Sequence, residues 1–392
     1  MGFYCKNVVK NVYFWNSEKE EIIMQFTINS IAFDKLITKV LPAVPLRTPM
    51  PILENILIEF GDGELTLTAN DHEVAISAKD NVTCDGSARF IVKGKLLSEF
   101  VKSLGDTLVR FIVENEKIVA KTDSGHYDFN YASPDNFPEF KEIPTEKTLE
   151  IDAKVLKTAL QLTSFAISKD SARIAMTGVL IDMRENGTHF VSTDAHKLVK
   201  YSATAIKHEE PVSIVVPGKT VNILQKLLED GVVYLRYTAG GMFVESGSTK
   251  LVSRLIEHKF PDYVAVIPAE NPNKLTISRA PFLSATRRMI LMSNKNFQLV
   301  KVSLQPDKIE LNTEDQESGS RADESIQANY LGEPFTIGFK TENLFEILNN
   351  IGGDDLVVEL NTPQKAAIFK PLKQEENEDL TMLLMPTRLN TL

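Results

Sequence analysis

Ser213-Ile214-Val215-Val216 leads through Pro217-Gly218-Lys219 into Thr220-Val221-Asn222-Ile223-Leu224-Gln225-Lys226-Leu227-Leu228, and Asp230-Gly231 then interrupts the run. The first four residues read as a buried strand and the next nine as a helix. Val232-Val233-Tyr234-Leu235-Arg236-Tyr237 and Met242-Phe243-Val244-Glu245-Ser246 follow as two strands, joined through Ala239-Gly240-Gly241, a turn whose glycines are expected to supply positive φ. This order of parts occurs twice more. Upstream, Arg89-Phe90-Ile91-Val92 feeds a helix over 95–101, strands over 108–113 and 117–120, and a turn at Asn115-Glu116. Downstream, Pro334-Phe335-Thr336-Ile337 feeds a helix over 340–348, strands over 356–360 and 366–369, and a turn at Pro363-Gln364. The three turns are spaced about 124 residues apart, which is the signature of a threefold internal repeat.

A second pattern repeats inside each unit. A helix over 31–41 precedes strands over 52–60 and 64–69 with a turn at Asp62-Gly63; strands over 178–182 and 188–194 flank Asn186-Gly187; strands over 299–304 and 308–311 flank Pro306-Asp307. Each unit is therefore expected to hold two similar halves, each a helix with a hairpin, giving six helices. The joints repeat as well, through Phe137-Pro138 and Phe260-Pro261. The expected units are 24–147, 148–270 and 271–392. Residues 1–23, which have no counterpart in the later units, are expected to be a disordered extension or a stretch upstream of a true start at Met24.

The chain is 392 residues with 43% hydrophobic and 24% charged residues, ordinary for a globular protein. Two cysteines, Cys5 and Cys84, lack the spacing of a zinc site or a disulfide scaffold, which suits a reducing, cytoplasmic setting. No apolar run approaches the ~20 residues that cross a bilayer, so no membrane partner is expected. The net charge of −10 weighs against nucleic acid as a partner unless the cations are gathered on one surface. Every expected helix carries Lys or Arg on it or at its mouth, at Lys35 and Lys39, Lys95 and Lys102, Lys154 and Lys157, Lys219 and Lys226, Arg287 and Arg288, and Lys340. A shared helical face would then be basic while the sheets hold the surplus acid.

Gly218-Lys219-Thr220 lacks the leading glycine of a phosphate loop, since position 213 is Ser213. Asp194 and His196 have no serine or cysteine nucleophile in a sharp elbow beside them. The six histidines show no metal-ligand spacing. No cofactor, metal or catalytic residue is expected.

The segment Arg47-Thr48-Pro49-Met50-Pro51-Ile52-Leu53-Glu54-Asn55, the string Thr193-Asp194-Ala195-His196-Lys197-Leu198, the joint Phe260-Pro261-Asp262-Tyr263 and the tail Met385-Pro386-Thr387-Arg388-Leu389, set in a threefold repeat, resemble the bacterial DNA polymerase III beta subunits, the sliding clamps. The resemblance runs from Met24 to Leu389. It implies an α+β fold of three repeated clamp domains, each with two helices packed on antiparallel sheets, and a head-to-tail dimer that forms a closed ring around duplex DNA. It implies a homodimeric, non-enzymatic processivity factor. Its further partners are the replicative polymerase subunit, the clamp loader, and repair and mismatch-repair proteins that bring short Leu- and Phe-containing peptides.

The family's peptide pocket maps onto Met176, Thr193, His196, Lys197, Leu198, Pro261, Val266, Leu383, Met385, Pro386, Arg388 and Leu389. Implied DNA contacts are Arg47, Arg173 and Lys219, with Lys95, Lys102, Lys226 and Arg287 added. Ring closure is expected to set Phe100 and Leu104 against Leu291 and Met292. Two departures matter. Ala195 and Lys197 stand where the family has glycine and arginine, and Asn390-Thr391-Leu392 extends the tail. Lysine lacks the planar fork of arginine, so a hydrogen bond to a partner's backbone is expected to be weaker or differently placed. Two other readings stay open: a repeat-built peptide scaffold that never encircles DNA, and a hydrolase using Asp194 and His196.

Overall fold

The computed structural model describes residues 24–114, 117–143 and 148–389. The expected extension over 1–23, the turn at Asn115-Glu116 and the final Asn390-Thr391-Leu392 lie outside the described residues.

Among the described residues six helices of ten or more residues form, the number that the repeat implied: α1 (Ser30–Val40), α2 (Gly94–Ser103), α3 (Ala153–Ser164), α4 (Gly218–Leu227), α6 (Arg279–Met292) and α7 (Thr341–Asn350), with a single-turn α5 (Tyr263–Val266) in the second joint. Asn29 caps α1 and Asp152 caps α3 by accepting from the first free N–H groups. Helices pack in pairs, α1 on α2, α3 on α4 and α6 on α7. Each pair buries its apolar stripe against the sheets in one continuous core. In the first unit that core is aromatic, with Phe26 stacked on Phe111 at 4.8 Å and Phe33 edge-on to both.

The halves contain one strand more than the sequence pattern suggested. A third strand closes each: Val74–Asn81, Gly125–Asn130, Lys197–Ala203, Thr249–Arg254, Ser320–Gln327 and Glu378–Leu384. These strands were hard to see because several alternate poorly; Ser320–Gln327, for example, reads Ser-Arg-Ala-Asp-Glu-Ser-Ile-Gln. The turn between second and third strands begins at Asp194 in the second unit, which ends the preceding strand at Thr193. Two further boundaries differ from expectation. Pro51–Glu54 is a 3₁₀ turn, because proline cannot donate to a ladder, so the strand starts at Asn55, and Pro334-Phe335 likewise precede rather than begin the strand Thr336–Lys340. The turn through Gly240-Gly241 gives neither glycine the positive φ expected of it.

The third strands join the units. Val74–Asn81 of the first unit pairs antiparallel with Thr249–Arg254 of the second, and Lys197–Ala203 of the second pairs with Glu378–Leu384 of the third. An eight-stranded and a nine-stranded sheet thus run straight across the two interior joints. In both, the first half of one unit meets the second half of the next. Two third strands are left as sheet edges: among the described residues Gly125–Asn130 pairs only with Lys117–Thr122, and Ser320–Gln327 only with Lys308–Asp315.

Gly178 opens the strand beside Val212–Pro217, and an added Cβ there would stand 2.3 Å from the Val216 carbonyl oxygen. Because the obstacle is backbone, Gly178→Ala is expected to cost about 2–4 kcal/mol in urea denaturation, with helix content retained.

Candidate partner groove and basic helix faces

The turn Thr193-Asp194-Ala195-His196-Lys197 is built by local hydrogen bonds. Asp194 Oδ1 accepts from the N–H of His196 and of Lys197, both at 2.9 Å, and Thr193 Oγ1 donates to the Lys197 carbonyl at 2.8 Å. The tightness forces Ala195 to φ +75°, left-handed backbone that a Cβ makes costly. The 3₁₀ segment Ser171–Met176 is tied to the same turn, since Arg173 Nη1 donates to the Asp194 carbonyl at 3.0 Å. From the other side, the Met385 N–H donates to the His196 carbonyl at 2.8 Å, which brings the C-terminal tail alongside.

Under this turn lies a second, smaller apolar cluster on the face of the nine-stranded sheet that points away from the helices. Leu198 and Leu383 belong to it with Leu180, Val215, Phe260 and Tyr263. The strap over 256–267 is fastened across it by Asp182, a carboxylate only 3% exposed that accepts from Tyr263 Oη at 2.7 Å, Ser213 Oγ at 2.9 Å and Arg184 Nε at 2.9 Å. Burial opposes the charge on Asp182, yet the hydrogen bonds from Arg184, Tyr263 and Ser213 outweigh it and hold the carboxyl below its usual range. Asp182 itself was not among the sequence candidates. Its signal, a lone acid inside an apolar strand, is visible only once the strand is known to be buried on both faces.

Ten of the twelve mapped residues lie on or beside the four segments just described: the turn, the 3₁₀ segment, the strap and the tail. Leu198 and Leu383 are buried and face each other across neighbouring strands, Thr193 is buried in the turn, Met176, Pro261 and Pro386 are half-buried, and His196, Val266 and Met385 are exposed. A hollow of about 810 Å³ beside the strap shares only Pro261 with this set. Arg388 and Leu389 go elsewhere. Thr387 N–H donates to the Gly338 carbonyl at 2.8 Å, and Leu389 sits where a Cβ on Gly338 would be, so the tail ends over the first sheet of the third unit, beside a hollow of about 500 Å³.

Lys197 does not present a free cation. Its side chain is buried, with Nζ 2.5 Å from Asp194 Oδ2 and 3.0 Å from Glu346 Oε2 on α7, so it ties the second unit to the third. Burial disfavours both charges, but the hydrogen bond and attraction between them prevail: Lys197 is raised and Asp194 lowered from their ordinary values. Among the basic candidates, Lys219 Nζ is held by Asp71 and, at 3.4 Å, by Glu73 across the first joint, and Arg173 Nε lies 3.4 Å from Asp170. Lys95 has a loose 3.9 Å pair with Glu99. Arg47, Lys102, Lys226 and Arg287 are exposed and have no ion pair among the described residues. Exposed positions on α4 (Lys219, Asn222, Lys226) and on α1 (Ile31, Lys35, Thr38) form single stripes along their helices.

At the free edges, Phe100 packs edge-on to Tyr127 and Phe129 of Gly125–Asn130 at 4.9 and 4.8 Å, with Leu104 half-buried nearby in sequence. Leu291 and Met292, 76% and 42% exposed, end α6, which packs on Ser320–Gln327. Among the described residues there is no metal-ligating cluster and no helix long and apolar enough to cross a membrane.

Three family models match the chain in order: the N-terminal domain of the DNA polymerase III beta subunit over residues 24–141, its central domain over 150–262 and its C-terminal domain over 264–388. The chain is 27% identical over 379 residues to a beta sliding clamp from Staphylococcus aureus and 26% identical to one from Staphylococcus epidermidis, in each case over 93% of this chain and 100% of the relative. Among solved structures it is similar to the Pseudomonas aeruginosa sliding clamp bound to griselimycin, with a TM-score of 0.89, 26% identity, and 94% and 100% coverage of the two chains. The Pseudomonas aeruginosa DNA polymerase III subunit beta gives a TM-score of 0.88 with 26% identity, over 93% of this chain and 100% of that one.

Two outcomes follow from the turn. Ala195→Gly removes the left-handed strain and is expected to leave stability unchanged or raise it by up to about 1 kcal/mol, read from the thermal midpoint. Lys197→Met is expected to cost about 1–3 kcal/mol at neutral pH. Asp194, depressed in the fold, contributes above its unfolded value near 3.8 and loses that contribution as pH falls through its folded value, so the gap between variant and parent should close in acid.

Proposed function

The chain belongs to the DNA polymerase III beta subunit family, the sliding clamps, and from that membership we propose that two copies close head to tail into a ring that encircles duplex DNA and tethers replication and repair proteins to it. The observation that carries this reading is the order of the sheet edges. Each interior joint pairs the third strand of a first half with that of a second half, and the two strands left over are one of each kind, in the first and third units. A second copy satisfies both leftovers through a contact that closes by rotation, with Phe100 and Leu104 facing the partner's Leu291 and Met292.

In such a ring the helix layer lines the hole. Lys102, Lys226, Arg287 and Arg47 are free to meet phosphate, and contacts to the backbone alone impose no sequence preference, as sliding requires. Lys219 and Arg173 are engaged within the protein and contribute to the local potential more than to direct contact. The acid surplus on the sheets does not oppose this, because only the lining approaches DNA. The protein acts without catalysis, in the cytoplasm, and opening the ring falls to a separate loader.

The recess at the second interior joint receives partner peptides. Leu198 and Leu383 give an apolar floor for Leu or Phe side chains, while Met176, Pro261, Val266, Met385 and Pro386 form the walls. With Lys197 withdrawn into the joint, His196 and the backbone of the turn are the polar groups that orient the peptide. The binding of griselimycin by the Pseudomonas aeruginosa clamp supports a ligand recess in this fold.

Combined Lys102→Glu, Lys226→Glu and Arg287→Glu is expected to shorten retention on nicked circular duplex by roughly tenfold while the dimer persists. Parent protein should survive high salt on the circle but leave linear duplex through its ends; equal salt sensitivity on both would contradict encirclement. Val266→Glu is expected to weaken a Leu- and Phe-containing peptide by about tenfold in fluorescence polarisation without changing DNA retention.

A further inference from the structure

The C-terminal tail is held at two points. Beyond Leu384, the last residue of its strand, the Met385 N–H donates to the His196 carbonyl and the Thr387 N–H to the Gly338 carbonyl, both at 2.8 Å. The first anchor lies in the turn before Lys197–Ala203 of the nine-stranded sheet, and the second on Thr336–Lys340, the edge strand of the four-stranded sheet of the third unit. Met385 and Pro386, both mapped to the peptide pocket, are the stretch that these anchors fix. Proline locks its own φ and confines the residue before it to extended backbone, so a shift at Thr387 is passed on to Met385 rather than absorbed.

The second anchor depends on an absent side chain. Gly338 is buried in Thr336–Lys340, which pairs on one side with Leu299–Gln305 and, among the described residues, has no strand on the other. A Cβ on Gly338 would stand 2.6 Å from Leu389 Cδ2, 2.9 Å from the Thr387 carbonyl oxygen and 3.1 Å from Leu299 Cδ1. The two nearer atoms belong to the tail. The third belongs to a strand held in ladders on both sides, by Lys308–Asp315 and Thr336–Lys340. When a Cβ is forced in, the singly anchored tail yields before the laddered strand does.

We propose that Gly338 is a positioning residue for the peptide site: by leaving room for the tail it sets where Met385 and Pro386 stand, without touching the partner peptide itself. This rests on the peptide reading above and deepens it. The third unit then shapes the site twice, through Glu346, which holds Lys197, and through Gly338, which holds the tail. Leu389 serves as the foot of the tail rather than as part of the pocket wall.

Fluorescence polarisation of a labelled Leu- and Phe-containing peptide, together with hydrogen exchange of the tail, tests this on the full chain. Gly338→Ala is expected to weaken the peptide by about tenfold and to speed exchange at Thr387, while exchange in Lys197–Ala203 and Leu299–Gln305 and retention on nicked circular duplex stay as in the parent. Leu389→Ala removes the nearest obstacle, so Gly338→Ala combined with it is expected to bind within about threefold of the Leu389→Ala protein. Thr387→Pro reaches the same anchor at an exposed residue, by deleting the N–H donor and leaving the buried strand unaltered, and is expected to weaken the peptide likewise. Peptide affinity equal to the parent's in Gly338→Ala or in Thr387→Pro, or a loss in Gly338→Ala without faster exchange at Thr387, overturns the assignment and leaves the peptide site standing. A parent that does not bind the peptide overturns the site itself.

Discussion

Everything in this architecture depends on the edge strand's unmet hydrogen bonds. A sheet edge exposes a row of N–H and C=O groups that must be covered, paired or blunted. Here the interior edges are paired across units, so the covalent repeat and the sheet do not share boundaries: the sheets span the joints while the helix pairs stay within units. Each joint imposes the same strand pairing on successive units. The first and third units are left with complementary edges.

Charge is distributed to suit the joints. Lysines at the joints, Lys39 with Glu229, Lys219 with Asp71 and Lys197 with Glu346, spend their charge in holding neighbouring units together. Those left exposed on the helices are free to act at longer range. A net charge of −10 is thus compatible with a phosphate-facing surface, provided the two populations of cation are told apart. Residue type alone does not separate them. Lys219 and Lys226 look alike on one helix, yet one is neutralised by an acid almost 150 positions earlier in the chain.

That contrast marks how far the sequence could be read. The threefold repeat, the helix pairs and the hairpins were legible because apolar period and turn residues act locally, as at Asp62-Gly63 and Asn186-Gly187. The third strands were not, since Gly125–Asn130 and Ser320–Gln327 are edges with little burial and so lack a strong alternating pattern. The candidate site is written in the sequence as a set of strings, His196 through Leu198 and Met385 through Leu389, but not as geometry. The burial of Lys197 requires Glu346 from another unit, and the departure of Leu389 toward Gly338 requires a missing Cβ in a strand; neither condition is written near the residue it governs.

The equivalence of the joints also means that the polypeptide linkers are bystanders to the architecture. The order of units resides in the pairing surfaces, so in the proposed ring the place where one chain stops and the next begins is arbitrary. A rearranged polypeptide carrying the second, third and first units in that order would present the same succession of surfaces. It would merely relocate the seam through which the annulus can be unfastened.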